Sequence, residues 1–275
     1  MKKLMTILAI AIATSFAMAQ SHVDVITQTG PSNWGSITQS GAQSNYAEII
    51  SIGSTNDGNI YQNNNGFGGA GLDARISQVG DVNHGLVQQG TTTTTTFGHK
   101  ATIDQDGNYN NADIFQYDGQ PSTAYIRQLH DGNDADQHIY SDGQKLSSAY
   151  IWQEGFNNIA DQNLGMGNFI SGSSFSATQV GNGNKSYQKV FSNEASPMGA
   201  ALKTVNDNGV VISDGNYNYA VQEMNFNTAG NNFNNTATIT QANDYNQAWQ
   251  YQTGTGHTST ITQTGNGNWA QSVQN

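Results

Sequence analysis

Side-chain carboxamides are the groups in this sequence whose type and spacing suggest chemistry. Gln and Asn recur at a fixed distance from each other, as in Gln105 and Asn110 or Gln263 and Asn268. A carboxamide both donates and accepts hydrogen bonds, so identical carboxamides stacked one above another satisfy each other away from water. The chemistry expected of them is therefore hydrogen bonding between repeats of the chain.

The carboxamides belong to a motif that occurs ten times, from near residue 23 to the last residue, at an average spacing of about 26 residues. It reads Ala-x-Ile-x-Gln-x-Gly-x-x-Asn-x-Ala-x-x-x-Gln, and positions are counted from its first Gln as zero. Position 0 holds Gln28, Ser51, Gln78, Gln105, Gln128, Gln153, Gln179, Ser213, Gln241 and Gln263. Position +5 holds Asn33, Asn56, Asn83, Asn110, Asn133, Asn158, Asn184, Asn218, Asn246 and Asn268. Position +2 holds Gly30, Gly53, Gly80, Gly107, Gly155, Gly181, Gly215 and Gly265, with His130 and Asn243 as exceptions.

This spacing predicts two short strands in each repeat. Residues at −4, −2 and 0 share one face of a strand, and residues at +5, +7, +9 and +11 share one face of a second strand. The Gly-x-x segment between them supplies the positive φ of a tight arch. Such a unit cannot bury its own inner face, so the ten repeats are predicted to stack at ~4.8 Å into a rod roughly 48 Å long. The fold class expected is an all-β solenoid with cross-β, amyloid-like stacking.

The inner positions support stacking in rows of like residues. Position −2 is Ile in eight of the ten repeats, and each buried Ile is worth ~1.5–3 kcal/mol. Positions +9 and +11 read Ile37/Gln39, Ile60/Gln62, Val87/Gln89 and Ile114/Gln116, then reverse to Gln137/Ile139, Gln162/Leu164, Gln188/Val190 and Gln222/Met224. Repeats nine (Gln250/Gln252) and ten (Ser272/Gln274) follow neither order. Rows of like residues predict such blocks, whereas independent hairpins do not require them.

The N-terminus has the order of a secretory signal peptide. Lys2 and Lys3 precede an apolar run that ends in Ala17-Met18-Ala19, which predicts a signal peptide at residues 1–19 and a repeat domain at residues 20–275. The run is too short to span a bilayer, so a membrane-spanning protein is not expected. The remaining chain has seven basic and twenty acidic residues, a net charge of −13, which argues against nucleic acid as a partner. It has no cysteine and therefore no disulfide.

The repeat resembles that of the curlin family. The family's Gln-x-Gly-x-x-Asn-x-Ala-x-x-x-Gln is read in Gln105, Gly107, Asn110, Ala112 and Gln116, and again from Gln263 to Gln274. The resemblance covers nearly all of residues 20–275. It implies a fibre subunit of a bacterial biofilm matrix, whose partners are copies of itself, a second curlin subunit and the curli secretion machinery.

The sequence departs from the curlin pattern in three respects. Its return segments vary in length, as at Asn63–Gly71, Thr91–Thr96 and Phe191–Asn208, which predicts loops at one edge of the rod. The first repeat begins almost at Val23, where the family's major subunit has a Gly-rich leader, so the export route stays open. Ten repeats also exceed the number in the best-known members.

Other readings of the polar residues carry less weight. Asp104/Asp106 and Asp131/Asp134/Asp136 fit outward or arch positions better than a catalytic pair. The six histidines, His22, His84, His99, His130, His138 and His257, have no metal-ligand spacing and are expected at the surface or in arches, and no cofactor is predicted. The four tryptophans, Trp34, Trp152, Trp249 and Trp269, fall beside the inward positions and are expected to face outward.

These observations predict a secreted, non-enzymatic subunit that assembles itself into extracellular, cell-surface fibres. The rows expected to mediate assembly are the position-0 Gln residues, the position +5 Asn residues other than Asn56 and, at +11, Gln39, Gln116 and Gln274. The open edges at the first repeat (Ile26 to Gln39) and at the last (Ile261 to Gln274) are expected to template one another. The alternatives are a nucleator that anchors fibres to the cell and a monomeric solenoid that binds carbohydrate or ice.

Overall fold

The computed structural model describes residues 22–41, 44–64, 70–90, 98–117, 121–140, 147–166, 173–192, 204–205, 208–226, 232–233, 235–254 and 256–275. The predicted signal peptide at residues 1–19 and the run Thr91–Thr96 lie outside these ranges. Within them every regular element is a β-strand.

Two parallel sheets of ten strands each form the body of the protein. The first sheet contains β1 Val23–Thr29, β3 Tyr46–Ile52, β5 Asp73–Val79, β7 Lys100–Asp106, β9 Ser122–Leu129, β11 Ser147–Glu154, β13 Ser174–Val180, β16 Asn208–Asp214, β19 Thr236–Ala242 and β21 Thr258–Thr264. The second contains β2 Trp34–Gly41, β4 Asp57–Asn64, β6 His84–Gln89, β8 Asn111–Tyr117, β10 Asp134–Tyr140, β12 Ile159–Met166, β14 Lys185–Ser192, β17 Tyr219–Phe226, β20 Gln247–Thr253 and β22 Trp269–Gln274. Two short strands, β15 Thr204–Val205 and β18 Asn232–Phe233, pair in the return segments.

The order of strands confirms the predicted solenoid. Each repeat gives one strand to each sheet, and each strand pairs in parallel with its counterparts in the neighbouring repeats. The register places equal motif positions side by side: Ile49 pairs with Ile76, and Gln78 pairs with Gln105. We call each strand–arch–strand repeat a rung, numbered 1 to 10, and we call residues at one motif position in successive rungs a row.

The core lies between the two sheets and consists of rows from both. The position −2 isoleucines of rungs 2 to 6 are fully buried, and so are the apolar residues Ile60, Val87 and Ile114 at +9. The two sheets approach each other closely at position +7. A Cβ built on Gly58 would lie 2.9 Å from Cγ2 of Ile49, so only a very small residue fits there. The space between the two sheets is therefore just large enough for inward rows of Ile and Gln together with a row of Ala or Gly at +7.

Each arch contains two left-handed residues. At position +2, Gly107 has φ of 141°, and a Cβ there would meet the carbonyl oxygen of His130 in the next rung at 2.1 Å. The exceptions at +2, His130 and Asn243, adopt φ values of 70° and 69°. The second left-handed residue stands at +4 and includes non-glycine residues such as Val82 at 59°. The composition of the motif predicted the first of these residues but not the second.

Candidate assembly surfaces

The position-0 row is a chain of hydrogen bonds between glutamines. Nε2 of Gln78 donates to Oε1 of Gln105 at 3.1 Å, and Gln105 donates to Gln128 at 2.9 Å. The series continues from Gln128 through Gln153 to Gln179 at 2.9 Å a step, and from Gln241 to Gln263 at 3.1 Å. The second N–H of each amide binds a backbone carbonyl of the facing sheet, as Gln105 does with His84 at 2.8 Å. These side chains, buried in rungs 3 to 7 and rung 9, are thus paired with both neighbouring rungs, except that Gln179 has no bond to Ser213 in rung 8.

Two serines interrupt this row. Oγ of Ser51 donates to Gln78 at 3.2 Å, and Oγ of Ser213 donates to Gln241 at 3.1 Å, so each serine keeps the bond to the rung that follows. Neither side chain reaches back to accept from the rung before. Nε2 of Gln28 is consequently buried with no hydrogen-bond partner, and this predicted row member is not connected to its neighbour.

Glutamines at +11 and +9 form two further rows in separate blocks. At +11, Gln39 donates to Gln62 at 2.7 Å, Gln62 to Gln89 at 2.8 Å and Gln89 to Gln116 at 2.8 Å. At +9, the row begins with Gln137 and runs through rungs 6, 7 and 8 to rung 9, with steps of 2.7 to 3.1 Å. The block pattern read from the sequence therefore corresponds to two rows that end and begin between rungs 4 and 5.

The asparagine row has a different bonding pattern from the one expected. Oδ1 of Asn83 accepts the backbone N–H of Asn110 at 3.1 Å, and Nδ2 of Asn83 donates to the carbonyl of Gly107 at 2.8 Å. Both partners are backbone groups of the next rung. Side chain-to-side chain bonds occur between Asn158 and Asn133 and between Asn268 and Asn246. The row thus joins the arches of successive rungs, because an arch has backbone groups that no strand satisfies.

A second corner row was not anticipated from the sequence. At position −6, Oδ1 of Asn45 accepts the N–H of Leu72 at 3.0 Å, and Oδ1 of Asn235 accepts the N–H of His257 at 2.9 Å. Nδ1 of His99 contacts N and Oγ of Ser122 at 3.1 and 2.8 Å. At position −6 the sequence has a side chain that can accept a hydrogen bond in most rungs, but the residue type changes from rung to rung. His99 is fully buried, so the expectation that all histidines lie at the surface or in arches was wrong for this residue.

The acidic residues lie outward or in arches, as expected. Oδ1 of Asp131 accepts the N–H of Asn108 at 2.8 Å in the arch, and Asp104 pairs with Arg127 at 3.6 Å. On the outer face of the second sheet, Asp113, Asp136 and Asp161 stand in one row on adjacent strands. Burial and the neighbouring carboxylates, chiefly that of Asp134, raise the pKa of Asp136 to about 7. The neutral form of Asp136 is therefore substantially populated in the folded protein near neutral pH.

Aromatic rings also stack in rows on the outer faces. Trp34 and Trp269 at the two ends of the rod are 65% and 63% exposed, as predicted for outward tryptophans. The rings of Tyr219 and Trp249 are 5.6 Å apart, and those of Trp249 and Trp269 are 5.8 Å apart. The guanidinium of Arg127 lies 4.8 Å from the centroid of the Trp152 ring. These contacts stabilise the outside of the stack.

The rod has a direction that is set by its amides. In every glutamine-to-glutamine bond, Nε2 of the earlier rung donates to Oε1 of the later rung. In the first rung, Oε1 of Gln39 therefore lies on the side away from rung 2, where it is buried, and the last rung presents N–H groups. Oε1 of Gln39 accepts no hydrogen bond. Nε2 of Gln274 donates to the carbonyl of Thr258 at 2.8 Å and, having two hydrogens, retains one for a further acceptor.

The terminal rungs are the edges of both sheets. β1 and β2 are the edge strands at one end, and β21 and β22 are the edge strands at the other. Their inward residues are less buried than those of inner rungs: Ile26, Ile37 and Ala270 are only partly buried, whereas Ile49 and Ile60 are fully buried. Among the described residues, no helix is both long and apolar enough to cross a membrane.

The comparison with known protein families agrees with this geometry. The family model for the curlin associated repeat matches residues 100–129, which include β7, its arch, β8 and β9. This match confirms the resemblance read from Gln105, Gly107 and Asn110. Among curated proteins, no relative matches the chain. The matched segment and the β-solenoid together indicate a structural protein with a curlin-like repeat.

Proposed function

We propose that this chain is a secreted structural subunit that polymerises end to end into extracellular amyloid fibres of the curli type. The observation that carries the proposal is the pair of terminal rungs, each of which ends both sheets with an edge strand. An edge strand presents unpaired backbone N–H and C=O groups that can pair with another chain. A parallel stack with identical motif positions at its two ends can extend itself by the contacts that hold it together.

The side chains of the terminal rungs favour end-to-end growth over lateral association. The inward residues at both ends, Ile26 and Ile261 at −2 among them, belong to rows that are fully buried in the middle of the rod. Joining two ends would bury them further, at about 25 cal/mol for each Å² of apolar surface. The outer faces carry Asp and Glu residues within a chain of net charge −11, which disfavours sideways association.

The biological setting follows from the resemblance and from the signal-peptide pattern. A fibre exported to the cell surface would serve adhesion and the biofilm matrix, with a second curlin subunit and the curli secretion machinery as its partners. The rows of Gln and Asn would serve both folding and assembly, because the same bonds that join two rungs join two subunits.

Seeded growth of the purified chain tests the proposal. Growth of fibres from residues 20–275 is followed by thioflavin T fluorescence. Two samples receive the same mass of preformed seeds, and in one of them the seeds have been sheared. End-to-end growth predicts faster elongation with sheared seeds, because shearing multiplies ends without adding mass. Fibre diffraction should show a meridional reflection at ~4.7–4.8 Å. A β-rich monomer that never elongates seeds would overturn the proposal and favour a solenoid that binds a ligand on its side.

A further inference from the structure

The last two rungs break the block pattern of the second strand. Rungs 1 to 4 carry Gln at +11, and rungs 5 to 8 carry Gln at +9. Rung 9 carries Gln at both positions, as Gln250 and Gln252, and rung 10 carries Ser272 and Gln274. If stacking within one chain were the only requirement, rungs 9 and 10 could have continued the second block. The departure calls for a physical reason.

The hydrogen bonds show that rung 9 ends one row and begins another. Gln250 accepts from Gln222 at 3.1 Å, which extends the +9 row by one rung. Its own Nε2 donates to Oγ of Ser259 at 3.2 Å, and Ser259 donates to Ser272 at 2.7 Å, so two small hydroxyls terminate that row. Beside it, Nε2 of Gln252 donates to Oε1 of Gln274 at 2.9 Å and starts a new +11 row.

The +11 row restored at the end of the chain is the row with which the chain begins. Gln274 in rung 10 and Gln39 in rung 1 occupy the same motif position. Gln274 has an N–H available along the axis, and Oε1 of Gln39 has no donor. Joined head to tail, Gln252 and Gln274 of one copy and the four glutamines from Gln39 to Gln116 of the next would form one unbroken row.

The other rows also continue across such a junction. Gln263 would donate to Gln28 at position 0. Asn268 would join the arch of rung 1 of the next copy. Within one chain, Asn246 joins the arch of rung 10 in this way, because Oδ1 of Asn246 accepts the backbone N–H of Asn268 at 3.1 Å. The two most exposed tryptophans, Trp34 and Trp269, both stand at +6 and would stack on each other. A head-to-head junction would instead place amide oxygen against amide oxygen, because every glutamine donates in the same direction.

We propose that rungs 9 and 10 reset the amide pattern so that the last rung of one copy receives the first rung of a second copy, head to tail. The inference rests on the proposed fibre function and deepens it, because it names the residues that decide which end a subunit accepts. It also accounts for the two rungs that fit neither block. Continuing the second block to the terminus would place an apolar row against Gln39 and leave its oxygen buried without a donor.

The test measures polymerisation of Q274L, Q39L and the double variant. The critical concentration, the monomer concentration left at the plateau of growth, reports the free energy of each junction. Q274L removes the donor to Gln39 and should raise the critical concentration by about tenfold or more, since Oε1 of Gln39, buried without a donor in the monomer, then stays unpaired in every junction. Q271L is the matched control, with the same substitution on the same strand at an exposed, outward position. It should leave the critical concentration unchanged.

The double variant Q39L/Q274L tests direct contact across the junction. It places Leu on Leu at +11, like the apolar rows of rungs 5 to 8, and should return the critical concentration to within about threefold of wild type. Circular dichroism confirms that each monomer is folded. The reset is refuted if wild type grows but Q274L and Q271L have the same critical concentration. It is also refuted if the effects of Q39L and Q274L on the critical concentration multiply in the double variant. In both cases the proposal of fibre formation still stands. If wild type does not elongate seeds, the proposed function itself fails.

Discussion

Replacing Gln89 with Leu tests whether the glutamine rows hold the rungs together. Gln89 is fully buried in β6, where its Nε2 donates to Gln116 at 2.8 Å and to the carbonyl of Asp73 at 3.0 Å. Its Oε1 accepts from Gln62 at 2.8 Å. Q89L removes all three bonds while keeping a side chain of similar size. It leaves an N–H of Gln62 and Oε1 of Gln116 buried and unpaired.

The magnitude follows from these two orphaned groups. Each buried polar atom left without a partner costs ~1–3 kcal/mol, or ~2–6 kcal/mol for the pair. Burying the apolar leucine offsets roughly 1–2 kcal/mol of this cost. From the middle of these two ranges, Q89L should lower the free energy of unfolding by about 2–3 kcal/mol. Substitution of an exposed glutamine usually changes the free energy of unfolding by no more than about 0.5 kcal/mol.

The assay is urea unfolding of the monomer, followed by circular dichroism at a concentration too low for polymerisation. Q88L is the matched control, because Gln88 is the preceding residue of the same strand and points outward. A result in which Q89L and Q88L unfold within about 0.5 kcal/mol of each other would refute the reasoning. It would mean that the amides contribute no more to stability in the interior than at the surface.

Two further predictions concern the outer face and the arch. The pKa of Asp136, raised to about 7, lies above the value of an unfolded Asp, so the stability due to its neutral form is full below about pH 4 and is lost as the pH rises through about 7. D136N should remove this dependence. The free energies of unfolding of wild type and variant, measured in urea from pH 4 to 8, should diverge by ~1–2 kcal/mol after allowance for solvent screening; parallel profiles would contradict this. Val82 holds φ of 59°, a conformation that costs a β-branched residue ~1–2 kcal/mol and that Asn tolerates better. V82N should therefore raise the thermal midpoint, and an unchanged or lower midpoint would show that the arch stores no such strain.

The architecture was predictable because stacking constrains the same positions in every rung. A residue of one row meets its own counterpart ~4.8 Å above and below, so a favourable choice in one rung is favourable in the next. The fold is therefore visible in the sequence as a motif that recurs at a regular spacing. Position +5, Asn in all ten rungs, and the Gly at +2 located the arch and the two strands correctly.

The features that escaped prediction are those that many residue types can fill. The left-handed residue at +4 points toward solvent and is Ser32, Thr55, Tyr109 or Asn157 in different rungs, so it leaves no compositional mark. The −6 row holds His, Asn or Ser in most rungs but Leu72 in rung 3, and its His, Asn and Ser members share only the ability to accept a hydrogen bond. The partners of the Asn row were mistaken because the same spacing is compatible with side-chain and with backbone partners, and only the structure distinguishes the two.

The polar rows also explain how a stack of similar rungs keeps one register. Apolar rows alone would tolerate a slip of two residues, since a shift by two returns each side chain to the same face. In β7 such a slip would place Ile103 on a row of glutamines and Gln105 outside its row. Every displaced amide would then be buried without a partner, at ~1–3 kcal/mol each. The alternation of Ile and Gln therefore excludes shifted registers within the chain. For the same reason, an incoming copy must meet the terminal rung with its own glutamines in place, so the residues that select the fold also select the partner.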